Sequence, residues 1–360
     1  MSRLTYLLLP LLLLLGLAGG RAAAAALPAA PAAAVAPTDT AALTLPEAEQ
    51  RFAQRNLLLL AQQYNVSAAE AQVLQSRLWD NPTLSFEQNA FNQQTHHVFD
   101  MSRQGNTAVQ VQQLFALAGR RRAAVRLAEE AALVQQFTLL DLLRTLRFQL
   151  RTTFYDLYYQ QQSLALYNRQ IANFRRTVAL YEGQFDKGNI ALKEVIRLKA
   201  FLFQLENERQ DLLTAMTGEQ ADLRTLLGDN AGTAYRPQAD PARLRALSLL
   251  GRNEQQLIDS AEVARADVQA SRATVEQQNR NLRYQRALAT PDLLVGGLYD
   301  RSGNYIPNYT AVTLGIAIPV LNRNQGAIRA ARAQVQVSQA QLGQQQLVVQ
   351  NDVQQAWQQA

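Results

Sequence analysis

Most of the chain carries apolar residues at the three- to four-residue spacing of an amphipathic helix. This spacing predicts a long helix from Gly119 to about Gly183, without an internal proline. At 1.5 Å per residue, its roughly 60 residues extend for about 90 Å. A second long helix is predicted from Leu192 to Leu227, after a turn at Phe185–Asn189. The two form an αα-hairpin, and coiled-coil packing explains helices of this length better than one compact core does.

A shorter helical region precedes them. It is predicted to begin at Leu45, with Thr44 as N-cap and Pro46 in the first turn. We expect it to end near Leu78, with a break at Tyr64–Val66.

Alternation of polar and apolar residues predicts strands in two places. The first pair is Thr83–Glu87 and Thr107–Gln112, separated by a polar loop, and the second pair is Leu293–Tyr299 and Thr310–Ile318. In the last strand one face carries Val312, Leu314, Ile316 and Ile318. A water-soluble sandwich would turn that face inward and an outer-membrane barrel would turn it toward lipid, so alternation alone leaves both open.

The order helix, strand, strand, long helix occurs twice, which indicates an internal repeat. We assign residues 43–230 to the first copy and residues 231–360 to the second, with a linker at Thr233–Pro241 between them. The second long helix is still running at Trp357, and no second turn or returning helix follows. By comparison of the copies about 70 residues are missing, so we expect the sequence to be a fragment.

The N-terminus has the layout of a secretory signal peptide. A basic start is followed by the apolar run Leu4–Leu17 and by small residues, which predicts a signal peptide over residues 1–26. The alternative is a membrane anchor, but the run is shorter than the roughly 20 residues of a spanning helix. Residues 27–42, rich in Ala and Pro, are predicted to be a flexible or extended leader.

Composition argues against catalysis. Among 360 residues there is no Cys and there are only two His, which excludes disulfides, thiolate metal sites and a Cys nucleophile. The adjacent His96 and His97 match no metal-ligand spacing and are predicted to lie in a solvated loop. The net charge is +6, and its one compact cluster, Arg120–Arg122, suits a position near lipid phosphates better than nucleic-acid binding. No catalytic motif, cofactor site or metal site is predicted.

From about Leu43 onward the sequence resembles the TolC-type outer-membrane efflux protein family. The sharpest match is Ile318–Gly326, which resembles the strand-to-helix junction of that family. Lys187–Ala191 resembles its periplasmic tip turn, Leu223–Gly228 the end of the following helix, and Arg265–Ala270 the start of the second half.

Two junction sequences, Gln113–Arg120 and Asn322–Gly326, resemble the heavy-metal (cobalt-zinc-cadmium type) efflux branch of the family. They favour that branch without establishing the exported substrate.

The resemblance implies a mainly α fold with β, in which long coiled-coil helical hairpins form a periplasmic α-helical barrel. Two β-hairpins per protomer would contribute to a twelve-stranded outer-membrane β-barrel in a homotrimer. The implied partners are a periplasmic adaptor (membrane fusion protein) and an inner-membrane pump, most simply of the RND type. The implied location is the outer membrane of a Gram-negative bacterium, with a helical extension into the periplasm.

Three groups of residues have expected roles in such a channel. The turn that would dock the adaptor is Lys187, Gly188, Asn189 and Ile190. The lipid-facing residues would be Val109, Val111, Val312, Leu314, Ile316 and Ile318. The strand–helix junction would comprise Pro319, Asn322, Arg323, Asn324, Gln325 and Gly326.

The sequence therefore predicts a passive export conduit that performs no chemistry. The alternative is a soluble periplasmic coiled-coil adaptor or scaffold. Such a protein would share the helical hairpin and the signal peptide, but it has no need for two duplicated strand pairs.

Overall fold

The computed structural model describes residues 40–230, 232–239, 253–302 and 306–359. The predicted signal peptide and most of the leader lie outside these ranges. Within them the helices are α1 (Leu45–Arg55), α2 (Leu57–Arg77), α3 (Arg120–Asp186), α4 (Leu192–Leu227), α5 (Glu254–Ala264), α6 (Ala266–Ala287) and α7 (Gln325–Gln359). The strands are β1 (Thr40–Thr44), β2 (Thr83–Gln88), β3 (Thr107–Phe115), β4 (Ala234–Gln238), β5 (Leu293–Asp300) and β6 (Tyr309–Ile316).

The long helices agree with the sequence prediction. Helix α3 has 67 residues, which corresponds to about 100 Å of helix. Helix α4 has the predicted bounds and packs against α3. Helices α2 and α6 also pack along α3, so this one helix organises most of the helical packing in the described residues.

The start of α1 follows from local chemistry. Thr44 has an extended backbone and is the N-cap, and its N–H donates to Oε2 of Glu47 at 3.0 Å. Pro46 lies in the first turn, where its missing N–H has no intrahelical partner to lose. The predicted start of this helix is confirmed.

The predicted break at Tyr64–Val66 is wrong, because α2 is continuous there and the break lies at Asn56. Asn56 is a buried N-cap whose Oδ1 accepts a hydrogen bond from the N–H of Leu59 at 3.0 Å. Its Nδ2 donates to the backbone carbonyl of Leu226 at 2.9 Å, which ties the break to the end of α4. Asn56 therefore separates α1 from α2 without a Gly or a Pro, because its side chain caps α2 and also donates a hydrogen bond to a carbonyl of α4.

The end of α4 packs tightly against this break. Gly228 terminates α4 with φ +68°, and a Cβ at this position would lie 2.4 Å from the backbone oxygen of Arg55. The next residue, Asp229, accepts a hydrogen bond from Arg55 at 3.0 Å and one from the hydroxyl of Tyr235 at 2.5 Å. Burial, followed by the Asp229 hydrogen bond, raises the pKa of Tyr235.

Strands β1 and β4 form a two-stranded parallel sheet, with Leu43 opposite Pro237. This differs from two predictions, which place residues 40–42 in the leader and Thr233–Pro241 in a linker. Neither segment shows a clear alternation of polar and apolar residues, and their pairing joins positions almost 200 residues apart. Local sequence patterns do not report such a contact.

The hydrophobic core lies where this small sheet meets α1, α3 and α4. Its most buried members are Leu43, Ala48, Phe52, Leu150, Phe154, Leu157, Leu223, Leu227 and Tyr235. The core therefore joins the middle of α3 to the C-terminal end of α4.

The remaining strands form one antiparallel sheet in the order β2-β3-β5-β6. The two predicted hairpins thus lie side by side, joined through β3 and β5. The predicted strand at Thr310–Ile318 is too long, because β6 ends at Ile316. Ile316 is opposite Leu293, the first residue of β5, so the ladder has no further partner residues. Beyond it Pro319 has no N–H to donate, and the N–H of Val320 turns back to the carbonyl of Ile318 at 3.0 Å.

None of the helices in the described ranges combines the length and the apolar content that a membrane-spanning helix needs.

The contact between Gly228 and Arg55 generates a stability prediction. We expect Gly228→Ala to lower the free energy of unfolding by about 3 kcal/mol, from left-handed backbone strain plus overpacking against a carbonyl. Thermal and denaturant unfolding of the purified protein measure this.

Gly119→Ala is the matched control, because Gly119 also has a left-handed backbone (φ +70°) but would meet no atom within 4 Å. We expect only the strain cost of about 1 kcal/mol there. Equal losses in the two variants would contradict the tight approach of Gly228 to α1.

Candidate functional site

One face of the four-stranded sheet is predominantly apolar on all four strands, with Gln88, Thr107, Gln113 and Thr310 as its polar members. Residues directly opposite one another on paired strands lie on the same face of the sheet. Val111 on β3 is opposite Leu84 on β2 and Gly297 on β5, and Gly297 is opposite Val312 on β6. The apolar residues of this face are Leu84, Phe86, Val109, Val111, Phe115, Leu293, Val295, Tyr299, Val312, Leu314 and Ile316.

This apolar face is exposed to the surroundings of the protomer. The exposed fraction is 79% for Val312, 71% for Leu314 and 69% for Leu84. Along β6 exposure alternates, with Ala311, Thr313 and Gly315 less exposed than their neighbours. Val111 is about half exposed and Val109 is partly buried. Apolar side chains oriented this way are the reverse of a soluble sandwich.

The opposite face is predominantly polar or small. Its members include Ser85, Glu87, Gln110, Gln112, Thr313, Gly296 and Gly315, with Leu114, Leu294 and Leu298 as apolar exceptions. The sheet therefore separates an apolar side from a side that tolerates water.

Both outer edges of this sheet are open in the described residues. Strand β2 pairs with β3 alone, and β6 pairs with β5 alone. Along each edge, backbone N–H and C=O groups point away from the sheet without a partner strand.

The predicted strand–helix junction is an ordered connection between β6 and α7. Asn324 has a left-handed backbone (φ +56°), and its Nδ2 donates to the backbone and side-chain oxygens of Gln285 at 2.7 and 2.9 Å. The N–H of Asn324 donates to Oδ1 of Asn322, and that of Arg323 donates to Oε1 of Gln325. Gln325 and Gly326 begin α7. These contacts fix the exit of β6 against the end of α6.

The equivalent connection after β3 uses the same backbone device. Ala118 and Gly119 both have positive φ, and α3 starts immediately afterwards. Arg120 forms an ion pair with Asp292, next to the start of β5. The guanidinium of Arg121 lies 4.0 Å above the Trp79 ring, whereas Arg122 is exposed. The three adjacent arginines therefore have three different surroundings.

The predicted tip turn joins α3 to α4. The N–H of Gly188 donates to the carbonyl of Phe185 at 2.8 Å and that of Asn189 to the carbonyl of Gln184 at 2.9 Å, which is a Schellman motif. Gly188 has φ +77°, and a Cβ there would meet nothing within 4 Å. Lys187, Gly188 and Asn189 are exposed, and Ile190 is half-buried. Only the left-handed backbone, and no neighbour within the protomer, favours glycine here.

The Arg265–Ala270 motif lies at the junction of α5 and α6. Arg265 donates to Asp267 at 2.7 Å and to Asp352 on α7 at 3.0 Å. Burial alone would raise the pKa of Asp267, but hydrogen bonds from Arg265 hold it below its usual value. This ion-pair cluster links α6 to α7, a role that the sequence motif alone did not reveal.

The loop with His96 and His97 is organised by a buried carboxylate. Asp100 accepts hydrogen bonds from the hydroxyl of Thr95 at 2.5 Å, the N–H of Ser102 at 2.9 Å and Nδ2 of Asn92 at 2.8 Å. The Thr95 hydrogen bond, followed by those from Ser102, lowers the pKa of Asp100 far below its usual value. Both histidine side chains are exposed, and the carboxylate of Asp100 is already hydrogen-bonded within the loop.

Comparison with known proteins identifies the class. A family model described as outer membrane efflux protein matches residues 49–229, half of the chain. The chain therefore belongs to the outer membrane efflux protein family. Proteins of this family are channels rather than enzymes, which agrees with the sequence prediction. No curated protein sequence matches the chain.

Solved structures share its fold. The outer membrane protein VceC of Vibrio cholerae is 18% identical, with a TM-score of 0.62 over 84% of this chain and 75% of VceC. The outer-membrane channel OprN is 17% identical, with a TM-score of 0.65 over 85% of this chain and 72% of OprN. The Campylobacter jejuni CmeC outer membrane channel is 13% identical, with a TM-score of 0.63 over 87% of this chain and 68% of CmeC.

The Asn324 contacts generate a prediction that separates side-chain hydrogen bonds from backbone conformation. Asn324→Gly keeps the left-handed backbone but loses both hydrogen bonds to Gln285, and we expect it to cost about 1–2 kcal/mol of unfolding free energy. Asn324→Ala adds left-handed strain of about 1 kcal/mol.

Denaturant unfolding of the two variants beside the unaltered protein measures both quantities. A Gly variant as stable as the unaltered protein would show that the Gln285 hydrogen bonds do not hold the junction.

Proposed function

We propose that this chain is a subunit of an outer-membrane efflux channel, a passive conduit for export. The observation that carries the proposal is the apolar face that all four strands of the sheet expose. Exposed valines and leucines on a sheet are unfavourable in water, but they match the hydrocarbon of a bilayer. Membership of the outer membrane efflux protein family supports the same location.

The open edges of β2 and β6 support assembly as a trimer. In hydrocarbon each unpaired N–H or C=O is costly, so a sheet there must close on itself. Four strands from each of three copies would make the twelve-stranded barrel. The face with Gln110, Gln112 and Thr313 would then line a water-filled lumen.

The long helices suit a tunnel through the periplasm. About 100 Å of α3 extends from the sheet to the Lys187–Ile190 turn, and the antiparallel α4 runs back along it for about 55 Å. The conduit itself would supply no energy for export. That energy would come from an inner-membrane pump, coupled to the conduit through a periplasmic adaptor.

The alternative, a soluble periplasmic adaptor or scaffold, accounts for the helices but not for the sheet. Such a protein would leave Val312, Leu314 and Leu84 in water without a compensating contact. The exposed apolar face therefore favours the channel.

The test places one charge on each face of the sheet. We expect Leu314→Lys to block insertion, because a Lys on the lipid-facing side of a barrel costs about 2–4 kcal/mol at the bilayer midplane. The measurement is the fraction of the protein recovered in the outer membrane as a heat-modifiable trimer.

Gln110→Lys is the matched control, with the same new charge on the polar face of the sheet. It should insert as well as the unaltered protein. Normal insertion of Leu314→Lys, or recovery of the unaltered protein as a detergent-free soluble monomer, would refute the proposed orientation.

The Lys187–Ile190 turn is the proposed adaptor-docking site. It is the exposed connection at the end of the α3–α4 hairpin, and Gly188 leaves room for the backbone of a partner. The exported class is proposed to be heavy-metal ions, with an RND-type pump, on the strength of the two junction sequences. The solved relatives give no support for one branch over another.

A bulky residue at the turn separates docking from folding. We expect Gly188→Trp to reduce export of cobalt, zinc and cadmium at least tenfold while trimers still form, because the side chain fills the approach of the partner. Metal tolerance of cells carrying the variant and the trimer content of their membranes are the two measurements.

Gly188→Asn is the control, since Asn accepts the left-handed backbone with a small side chain. Normal efflux by the Trp variant would remove the docking assignment. A strain without the gene that tolerates all three metals would remove the heavy-metal assignment while leaving the channel proposal in place.

A further inference from the structure

A basic pocket lies between the first turns of α3 and the last turns of α6. Its volume is about 290 Å³, and it is lined by Gly119, Arg122, Arg126, Arg280 and Arg283 together with two alanines. Four of the seven lining residues are arginines, and none is acidic.

Three of these arginines are not neutralised within the protomer. Arg122, Arg126 and Arg283 form no ion pair or hydrogen bond in the part of the chain that the structure describes. Arg280 differs, because it lies 2.8 Å from a carboxylate oxygen of Glu276 and 3.6 Å from one of Glu130. The pocket thus keeps an excess of positive charge.

The start of α3 adds to the positive potential. Gly119 is its N-cap and supplies no side-chain hydrogen bond, and although the N–H groups of Arg120 and Ala123 donate to Leu117 and Gly119, those of Arg121 and Arg122 remain available. The helix dipole places partial positive charge at the same end. Backbone donors and arginines therefore converge on one space.

A neighbouring pocket shows that arginines alone do not produce this arrangement. It is lined by Arg77, Arg121, Arg122 and Val125. There Arg77 is paired with Glu129 at 2.9 Å and Arg121 lies over the Trp79 ring, so two of its three arginines already have partners.

The position of the pocket limits what could reach it. Gly119 is four residues past the end of β3, and Arg283 is four residues before the end of α6, which leads into β5. Both connections join the sheet to the helices. In a sheet that spans the bilayer, this boundary lies at the level of the lipid headgroups.

We propose that this pocket binds a phosphate group, and that an anionic phospholipid headgroup is the source of that phosphate. Arginine guanidinium groups pair with phosphate oxygens through two parallel charge-assisted hydrogen bonds, which suits a site with several unpaired arginines. The choice of a lipid as the source rests on the proposed outer-membrane function, whereas phosphate binding itself does not.

The experiment uses the purified full chain in a neutral detergent, with three separate probes. These are phosphatidylglycerol, zwitterionic phosphatidylcholine and inorganic phosphate. The test variant is the pair Arg126→Gln and Arg283→Gln, and binding is measured as a dissociation constant for each probe. We expect tighter binding of phosphatidylglycerol than of phosphatidylcholine, and about a 25-fold loss in the double variant, fivefold for each arginine.

The matched control is the pair Arg169→Gln and Arg176→Gln. These exposed arginines are also on α3, about 65 and 75 Å along the helix from Arg126, and their loss changes the net charge equally. Their variant should bind phosphatidylglycerol as the unaltered protein does. Circular dichroism checks that both variants are folded. The pair Arg126→Lys and Arg283→Lys, which keeps the charge but loses the paired hydrogen bonds of guanidinium, should bind more tightly than the Gln pair and more weakly than the unaltered protein.

The outcomes distinguish whether the pocket binds phosphate at all from whether a phospholipid supplies that phosphate. Loss of phosphatidylglycerol binding in the test variant alone supports a lipid site. Binding of inorganic phosphate that is lost in the test variant, without a preference for phosphatidylglycerol, supports the phosphate site and overturns the lipid source. Equal behaviour of test and control variants overturns the site, even if the protein forms outer-membrane trimers as proposed.

Discussion

The backbone groups along the outer sides of β2 and β6 impose the strongest constraint on this molecule. Each edge presents N–H and C=O groups that need partners, and the face between the edges is apolar and exposed. Water would satisfy the edges but not the face, and hydrocarbon would satisfy the face but not the edges. The proposed ring of identical sheets in a bilayer would satisfy both, and it would account for features that look unfavourable when one protomer is considered alone.

The helices must leave that sheet at defined angles, and the connections are correspondingly ordered. After β3 the chain turns through Ala118 and Gly119, and after β6 it turns through Asn324, all with positive φ. The Asn324–Gln285 and Arg120–Asp292 contacts hold these exits against α6 and the start of β5. Because α3 is about 100 Å long, a small change of angle at its first turn would displace its far end by many ångströms.

Sequence periodicity predicted the local elements well and the long-range contacts poorly. The bounds of α4, the Thr44 start and the two strand pairs follow from spacing and capping chemistry that lie within a few residues. The break at Asn56 could not be predicted in this way, because its buried amide is satisfied by Leu226 on another helix. Ile318 continues the alternation of β6, but the ladder ends at Ile316, opposite the first residue of β5. The basic pocket was only partly visible, since Arg280 and Arg283 join Arg122 and Arg126 through packing between α6 and α3.

The parallel pairing of β1 with β4 has a consequence for how the chain folds. Thr40–Thr44 pairs with Ala234–Gln238, so the contact cannot form until the nearly 200 intervening residues have been synthesised. Pairings of high contact order form slowly because the loop-closure entropy is lost before the contacts are gained. Leu43 and Tyr235 lie on these strands and belong to the hydrophobic core, so we expect that core to be completed late. During that interval the apolar surfaces of α1 and α3 would stay uncovered, and we expect a newly synthesised chain to depend on chaperones that prevent its aggregation.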